Sequence, residues 1–438
     1  MTRRLFGTDG VRGRAGEVVT AQLAMALAQA ATERVGGERP QVLVIRDTRE
    51  SGEMLEAGIA AGATAAGGDA LLGGVLPTPA APLLIGRYGF DLGVVLSASH
   101  NSYEDNGIKF FGANGEKLSD AVEEEIESAL ERPPAHSGRF GRVRRLHGTL
   151  DDYLRALHER YAQLELAGLD VLLDCAHGAT YRAAPTIFER LGAQVTTLAT
   201  EPDGRNINAQ CGSTHVGRLA EAVVAGGHDL GFAFDGDGDR VLAADRSGAV
   251  VDGDELIALA AKHLRGAGRL PGSGVAVTVM TNYGFHSAMA QAGIEVATTK
   301  VGDRYVLEEL RARGWALGGE QSGHIMDLSF APSGDGIAAA LLALEALDGA
   351  DLAQRHAMEK LPQRLVNVPV ADRDALLGDP DLATAIAREA SELEGRGRVL
   401  VRPSGTEQLV RVMVEAPGAD EAAQACERLV AAVHAVHA

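Results

Sequence analysis

Hydrophobic and polar positions follow a repeating order along most of the chain. Three stretches share one pattern: an apolar run rich in β-branched residues, a small or polar turn, and a segment with apolar residues at helical spacing. They cover residues 41–68, 169–192 and 273–293. Strands that alternate with helices in this way are typical of α/β architecture. The pattern therefore predicts three similar domains of parallel α/β type in series.

The connecting stretches indicate where these domains end. Residues 131–148 are rich in Pro, Gly and basic residues and have no apolar period, and a strand hairpin gives way to a helical run near residues 250–254. After Lys360 the pattern changes to a strand, a helix, a strand hairpin and a final amphipathic helix. We expect α/β domains over residues 1–148, 149–250 and 251–362, and a smaller α+β domain over residues 363–438.

Composition and charge narrow the function classes. The 438 residues are 46% hydrophobic and 23% charged, and 41 Lys and Arg against 60 Asp and Glu give a net charge of -19. Such a charge repels nucleic acid and anionic lipid, so we expect neither as a partner. The three cysteines (Cys175, Cys211 and Cys426) have no CxxC spacing, and the first residues lack the apolar segment of an export signal. We therefore expect a cytoplasmic protein.

An acidic loop joins two apolar runs within residues 232–245. Three aspartates alternate with glycines there: Asp235, Asp237 and Asp239. Carboxylates at this spacing repel one another without a cation, and all-oxygen ligation favours a hard ion such as Mg²⁺. A calcium EF-hand fails on spacing, because Arg240 and Arg246 stand where Gly and Glu are required. A solvated acidic turn is the remaining alternative.

A polar loop follows the buried-strand pattern of residues 92–96. The loop and the strand after it contain Ser97, Ser99, His100, Asn101, Ser102 and Lys109. The carboxyl ends of parallel strands are where α/β sheets bind ligands. A serine here could be a nucleophile, with His100 or Lys109 handling its proton. The alternative is a plain Asn/Ser turn, and the GxSxG motif of serine hydrolases is missing.

Two further loops carry candidate binding groups. Residues 401–411 read VRPSGTEQLVR and combine guanidinium groups, hydroxyls and open backbone amides, which suits a phosphate dianion. A hairpin turn with surface arginines is the alternative, and the absence of any Gly-Lys pair excludes a Walker A loop. In WALGGEQSGHIM, over residues 315–326, Glu320, Ser322 and His324 alternate. We expect them on one side of an extended loop, gripping sugar hydroxyls, with a structural histidine as the alternative.

These loops, in this order, resemble the α-D-phosphohexomutase superfamily over essentially the whole chain. The resemblance extends to GTDGVRG at 7–13, RDTRESG at 46–52, CGSTH at 211–215, TKVGDRYV at 299–306 and GGEQSGH at 318–324. These motifs look most like the bacterial branch that acts on glucosamine phosphates. The resemblance implies three similar α/β domains with mixed sheets and a smaller C-terminal α+β domain around a central cleft.

The resemblance also implies a role for each loop. Ser99 is the phosphoserine carrier, and its phosphate holds one Mg²⁺ together with Asp235, Asp237 and Asp239. Arg240 lies beside the phosphoryl group, while positioning and proton transfer fall to Arg12, His100, Lys109 and His324. Glu320 and Ser322 bind sugar hydroxyls. The phosphate that does not react is held by Arg402, Ser404, Gly405, Thr406 and Arg411.

The implied reaction interconverts glucosamine 6-phosphate and glucosamine 1-phosphate through a bisphosphorylated sugar, which also serves as activator. Mannose or glucose phosphates are the nearest alternative substrates, and a catalytically idle sugar-phosphate-binding protein is the alternative of another class. A homodimer is compatible with this interpretation. Three positions depart from the usual pattern: Ser102 and Gln408 replace proline, and His177 replaces asparagine. The first two remove a fixed φ, so loop rigidity is the point to examine.

Overall fold

The computed structural model describes residues 5–7, 9–131, 138–370, 379–403 and 408–437. By its internal contacts the chain divides into two compact units. The first contains Met1–Val279 and Ala297–Arg355, and the second contains Met280–Val296 and His356–Ala438. Among the helices within the described ranges, none has the length and apolarity needed to cross a bilayer.

The first unit begins with a seven-stranded sheet in the order β1-β2-β6-β5-β3-β4-β7. Its strands are β1 (Phe6–Gly7), β2 (Gly10–Arg14), β3 (Gln41–Arg46), β4 (Asp69–Val75), β5 (Leu92–Leu96), β6 (Asp105–Gly112) and β7 (Val143–Arg145). The helices between them are α1 (Ala21–Val35), α2 (Gly52–Ala65), α3 (Ala80–Tyr88) and α4 (Asp120–Ala129). The central strand β5 is buried along its whole length, as its uniformly apolar sequence requires.

A five-stranded sheet follows in the order β12-β11-β10-β8-β9. Its strands are β8 (Asp170–Asp174), β9 (Gln194–Leu198), β10 (Leu230–Phe234), β11 (Val241–Asp245) and β12 (Val250–Val251). The helices in this part are α5 (Thr149–Arg160), α6 (Ala183–Arg190) and α7 (Val216–Gly226). Strand β10 is again completely buried, so it delivers the loop after it from the middle of the sheet.

A four-stranded sheet in the order β14-β13-β15-β16 comes third. Its strands are β13 (Gly274–Thr278), β14 (Glu295–Thr299), β15 (Leu317–Gly319) and β16 (Ile325–Asp327). The helices in this stretch are α8 (Gly253–Gly266), α9 (Tyr283–Gln291), α10 (Asp303–Arg313) and α11 (Gly336–Leu347). Short 3₁₀ turns lie at Ser213–His215, Pro271–Ser273 and Leu352–Gln354.

The three sheets share one arrangement of four strands. The orders β6-β5-β3-β4, β11-β10-β8-β9 and β16-β15-β13-β14 correspond to one another. In each, the first two strands pair antiparallel and the middle two pair parallel. This confirms the prediction of three similar α/β domains with mixed sheets. Parallel strands that end together bring the loops after them to one edge of the sheet.

The second unit contains an antiparallel sheet in the order β17-β19-β18. It consists of β17 (Gln363–Pro369), β18 (Arg398–Pro403), β19 (Leu409–Glu415) and the helices α12 (Pro380–Glu392) and α13 (Ala419–His437). Alternate residues of β19, Val410, Val412 and Val414, pack into a core that Leu429 and Val433 of α13 complete. The smaller C-terminal α+β domain is therefore confirmed.

Helix α9 belongs to this second unit, although its sequence lies between two strands of the third sheet. Its N-cap residue Asn282 bonds the backbone of Leu361 through both side-chain atoms, at 3.0 Å each. The amide of Tyr283 donates to the buried Glu415 carboxylate at 2.7 Å. The start of α9 is thus fixed to the segment before β17 and to the end of β19.

Candidate active site

The serine loop begins where β5 ends. Ser99 is 1% exposed and has a φ of 52°, a left-handed conformation that costs a non-glycine residue on the order of 1–2 kcal/mol. Its amide donates to the hydroxyl oxygen of Ser97 at 2.9 Å. The loop therefore holds the Ser99 side chain in a defined direction at some cost in backbone energy.

Ser99 faces the acidic loop. Its Oγ donates to Oδ2 of Asp235 at 2.5 Å and lies 3.3 Å from Nδ1 of His100. Arg240 also approaches this nitrogen at 3.3 Å, and because a guanidinium can only donate, Nδ1 acts as acceptor and the ring proton belongs on Nε2. Burial, together with Arg240 and Arg12, lowers the pKa of His100. The imidazole beside Ser99 is therefore neutral at pH 7.

The acidic loop joins β10 to β11. One oxygen from each of Asp235, Asp237 and Asp239 lies within 4.8 Å of the others, and all three residues are buried. A Cβ on Gly236 would come 2.5 Å from the Ser99 carbonyl oxygen. Glycine at this position is what allows the serine loop and the acidic loop to touch.

The acidic cluster fits a hard divalent cation. Within the described part of the chain, Oδ1 of Asp237 and Oδ1 of Asp239 are buried and accept no hydrogen bond. Burial and the neighbouring Asp239 and Asp237 raise the pKa of Asp235 well above its usual range. Carboxylate oxygens without donors, crowded together away from water, are the donor set that Mg²⁺ prefers.

Lys109 neutralises part of this acidic charge. Its Nζ lies 2.8 Å from Asp237, 3.1 Å from Asp9 and 3.8 Å from Asp239. Burial would lower its pKa, but these carboxylates outweigh burial and raise it. For Asp237 burial acts in the other direction and would raise the pKa. Lys109 and the Thr78 hydroxyl outweigh burial and hold the pKa of Asp237 below its usual range. Lys109 thus keeps its proton at neutral pH, which favours charge neutralisation over base catalysis.

A second lysine, Lys117, is half-buried and extends the cluster, and sequence reasoning missed it. Lys117 donates to Oδ2 of Asp303 at 2.5 Å and also to Asp9. Arg12 donates to the other oxygen of Asp9. Burial would lower the pKa of Lys117, but Asp9 and Asp303 raise it far above its usual range. Asp9 and Asp303 lie within GTDGVRG and TKVGDRYV, so the motifs contained a usable signal.

The prediction that Glu320, Ser322 and His324 share one side of an extended loop is wrong. Residues 320–323 form a tight turn between β15 and β16, closed by a 3.0 Å hydrogen bond from the Gly323 amide to the Glu320 carbonyl. Ser322 is exposed, whereas Glu320 is half-buried and accepts from the amide of Gly302 at 3.0 Å. The carboxylate and the hydroxyl that a sugar was expected to bridge therefore lie in a turn, and they differ in exposure.

His324 alone of those three enters the acidic cluster. It is 3% exposed, and Nε2 lies 3.9 Å from both Asp239 and Asp303. Its Nδ1 is buried with no hydrogen-bond partner among the described residues. A Cβ on Gly334 would lie 2.5 Å from the ring, so glycine there makes room for the imidazole.

The predicted phosphate loop is described only at its two ends. Ser404, Gly405 and Thr406 lie outside the described residues. Arg402 and Arg411 are directly opposite one another on β18 and β19. Burial and then the charge of Arg411 lower the pKa of Arg402, and Nε of Arg411 is buried with no partner in the described ranges. Two guanidinium groups held side by side suit an anion.

The structure accounts for two of the three unusual positions. Ser102 is exposed, its hydroxyl bonds to the carboxylate of Glu104 and its carbonyl accepts from Arg49, so this hydroxyl is engaged away from the aspartates. His177 has a φ of 48°, and its carbonyl accepts from the Thr48 hydroxyl at 2.6 Å. The Gln408 carbonyl accepts from the Val370 amide, and nothing in the structure explains the glutamine side chain.

Comparison with known families matches the chain in four consecutive parts. The matching models are phosphoglucomutase/phosphomannomutase, alpha/beta/alpha domains I, II and III, and the C-terminal domain of the same family. They cover residues 3–136, 151–248, 252–365 and 365–432.

Individual proteins agree with this assignment. The phosphoglucosamine mutase of Moorella thermoacetica is 50% identical over 428 residues, which are 95% of this chain and 96% of that one. A phosphoglucomutase/phosphomannomutase family protein from Burkholderia thailandensis shares the fold, with a TM-score of 0.85 and 24% identity over 99% of this chain and 97% of that one. The N-acetylphosphoglucosamine mutase of Aspergillus fumigatus, solved with GlcNAc-6P and magnesium, has a TM-score of 0.70 and 18% identity over 100% and 96%.

The domain order, the buried aspartates facing Ser99 and the full-length relatives lead to one assignment. The chain belongs to the phosphoglucomutase/phosphomannomutase family, in the group of the bacterial phosphoglucosamine mutases.

Proposed function

We propose that this chain interconverts glucosamine 6-phosphate and glucosamine 1-phosphate through a phosphoserine at Ser99. The observation that carries the proposal is the 2.5 Å contact between Ser99 Oγ and Asp235 within a buried cluster of three aspartates. This places a hydroxyl where a phosphoryl group would meet a hard cation. The relatives that match nearly the whole chain at about 50% identity are phosphoglucosamine mutases, which supports the amino sugar as substrate.

The reaction consists of two phosphoryl transfers. In the first, the Oγ–P bond of phosphorylated Ser99 breaks as a sugar hydroxyl oxygen bonds to phosphorus, and the hydroxyl proton passes to Oγ. In the second, after the bisphosphate has turned over, Ser99 Oγ bonds to the other phosphorus as the sugar O–P bond breaks, and the Oγ proton passes to the departing sugar oxygen. Asp235 accepts the hydrogen bond of that proton, and neutral His100 is the next nearest acceptor. A sugar bisphosphate would phosphorylate Ser99 at the start and so act as activator.

Asp235, Asp237 and Asp239 would hold one Mg²⁺ together with the phosphate on Ser99. A bound Mg²⁺ supplies positive charge to the transferring phosphoryl oxygens. Around it, Arg240 lies against His100 and Asp235, and Lys109 binds Asp237. These residues orient the acidic loop and offset its charge, which is the main demand of a phosphoryl transition state.

The remaining roles concern the sugar and its second phosphate. We assign the sugar hydroxyls to Glu320 and Ser322, which lie in one turn between β15 and β16. His324 and Arg12 position the acidic cluster through Asp303, Asp239 and Asp9. The distal phosphate is assigned to Arg402 and Arg411, together with Ser404, Gly405 and Thr406.

Three wider assignments remain proposals. The domains are divided at residues 148, 250 and 362. The chain works in the cytoplasm, and its net charge of -19 disfavours nucleic acid and membrane surfaces as partners. A small-molecule sugar phosphate is its substrate, and a homodimer is the oligomer to test by light scattering.

Replacement of Ser99 tests the function, with Ser102 as the matched control in the same loop. We expect Ser99→Ala to abolish turnover and to leave no phosphopeptide after incubation with a sugar bisphosphate. Ser102→Ala should keep most of the activity, because the Ser102 hydroxyl binds Glu104. Glucosamine, glucose and mannose 1-phosphates assayed side by side identify the substrate. Equal loss from both variants, or phosphate mapped to Ser102, would overturn the assignment, and binding without turnover would select a sugar-phosphate-binding protein.

A further inference from the structure

We infer that Arg49 is a positioning residue for Ser99: it fixes the backbone of the serine loop in the conformation that aims the hydroxyl at the acidic cluster. Arg49 lies in the RDTRESG stretch, at residues 46–52, to which the proposed mechanism assigns no part. It is completely buried, although arginine is among the residues least often found without any exposure. Its contacts explain why it is there.

The guanidinium of Arg49 uses all five of its N–H donors. Nε donates to the Asp47 carboxylate at 2.9 Å. One terminal nitrogen donates to the carbonyls of Ser99 and Asn101, both at 2.9 Å. The other donates to the carbonyls of Ser102 and Asp105, the latter at 3.0 Å. One planar group therefore connects four carbonyls of the serine loop, and the three donors of a lysine could not reproduce this geometry.

Asp47 connects the same group to the other side of Ser99. Its Oδ2 accepts from the Ser97 hydroxyl at 2.6 Å as well as from Arg49. The Ser97 oxygen in turn accepts from the Ser99 amide at 2.9 Å. The C=O of Ser99 is thus bonded directly to one buried ion pair, and its N–H is connected to the same pair through the Ser97 hydroxyl.

Asn208, which lies between β9 and α7, also holds the serine loop in place. The Asn208 side chain donates to the carbonyls of Ser99 and Asn101, at 2.9 Å each. These are the two carbonyls that one nitrogen of Arg49 binds. Arg49 differs from Asn208 in also reaching Ser102 and Asp105, so it alone spans the loop from Ser99 to the start of β6.

This arrangement gives rigidity to a loop without the proline expected at position 102. Without Arg49 the Ser99 carbonyl would lose one of its two donors and keep Asn208, so the left-handed backbone of Ser99 would be held less tightly. The Oγ would then move relative to Asp235. A displacement of about 1 Å in a phosphoryl-transfer site lowers the rate by on the order of 100-fold without removing any group that binds the sugar.

The test compares Arg49→Lys with Arg205→Lys, an exposed arginine that pairs with Glu50 next to the same loop. The inference rests on the proposed function, so wild-type protein must first show mutase turnover. We expect Arg49→Lys to lower kcat on the order of 100-fold with KM changed less than about threefold, and to slow Ser99 phosphorylation by glucose 1,6-bisphosphate to a similar degree. Arg205→Lys should match wild type in both assays.

A folded Arg49→Lys protein with wild-type kcat and wild-type phosphorylation rate overturns the inference and leaves the proposed function standing. If Arg49→Lys does not fold, Ser97→Ala replaces it, because this variant keeps Arg49 and removes only the link from the Ser99 amide to Asp47. Ser97→Ala is then expected to reduce kcat about 10-fold at unchanged KM, and wild-type kcat in that variant overturns the inference. Inactive wild-type protein would instead contradict the proposed function.

Discussion

Charge is compensated in the acidic cluster of the first unit but not in the arginine pair of the second, as far as the described residues show. Around Asp235, Asp237 and Asp239, buried cations supply compensation, with Lys109 2.8 Å from Asp237. Arg402 and Arg411 instead face one another with no carboxylate bonded to either in the described part of the chain. The first cluster can fold with its charges largely paired. The second keeps like charges together, which favours binding of an anion and contributes little to stability.

The largest effect is expected when the acidic cluster loses one carboxylate. Asp237→Asn removes a ligand charge and weakens the contact with Lys109, so turnover should fall on the order of 1000-fold, equivalent to about 4 kcal/mol in the barrier. Mg²⁺ affinity measured by calorimetry should fall in parallel. Asp151→Asn, an exposed carboxylate of α5, is the control. Full activity of wild-type protein in excess chelator would contradict the metal assignment.

The next largest effect is expected from removing Lys117, which compensates acidic charge in the first unit. Lys117→Met leaves Asp303 and Asp9 without their shared ammonium, although Lys109 and Arg12 still contact Asp9, so the loss of charge-assisted hydrogen bonds should cost about 1.5–3 kcal/mol of unfolding free energy. Urea titration measures the change. Lys300→Met is the control, because Lys300 is exposed and only lies near the Tyr305 ring. Equal stability of the two variants would show that Lys117 is not needed for charge compensation.

For the arginine pair we expect the opposite of the Lys117 result: activity falls while stability is kept. Arg411→Ala removes one charge-assisted contact to the distal phosphate, worth about 1.5–3 kcal/mol, so kcat/KM should fall roughly 10- to 150-fold in both reaction directions. Thermal stability should stay within a few tenths of a kcal/mol of wild type, or rise, because a like-charge pair is relieved. Arg364→Gln, an exposed arginine of β17, is the control. Wild-type kcat/KM in both directions would show that these arginines merely flank a hairpin.

Local patterns predicted the fold and the acidic triad because both depend on residues that are close together in the sequence. Asp235, Asp237 and Asp239 come from one loop, and the repeated strand, turn and helix order needs no long-range pairing. The partners of Lys117 were missed because Asp303 lies 186 positions away. Which side chains meet at that distance is decided by the packing of whole sheets. The turn at residues 320–323 was misread for a different reason, since Gly323, at a φ of 90°, interrupts the alternation.

Helix α9 limits where the chain can be truncated without disturbing the rest of the fold. A chain ending at Lys360 would lack both Leu361 and Glu415, and α9 would lose the hydrogen bonds that these residues make with Asn282 and Tyr283. Its first turn would then fray between β13 and β14, so a lost activity could not be ascribed to the missing arginines alone. The C-terminal domain is therefore built from two separate segments of the chain. Transplanting it into another protein requires residues 280–296 to travel with residues 356–438.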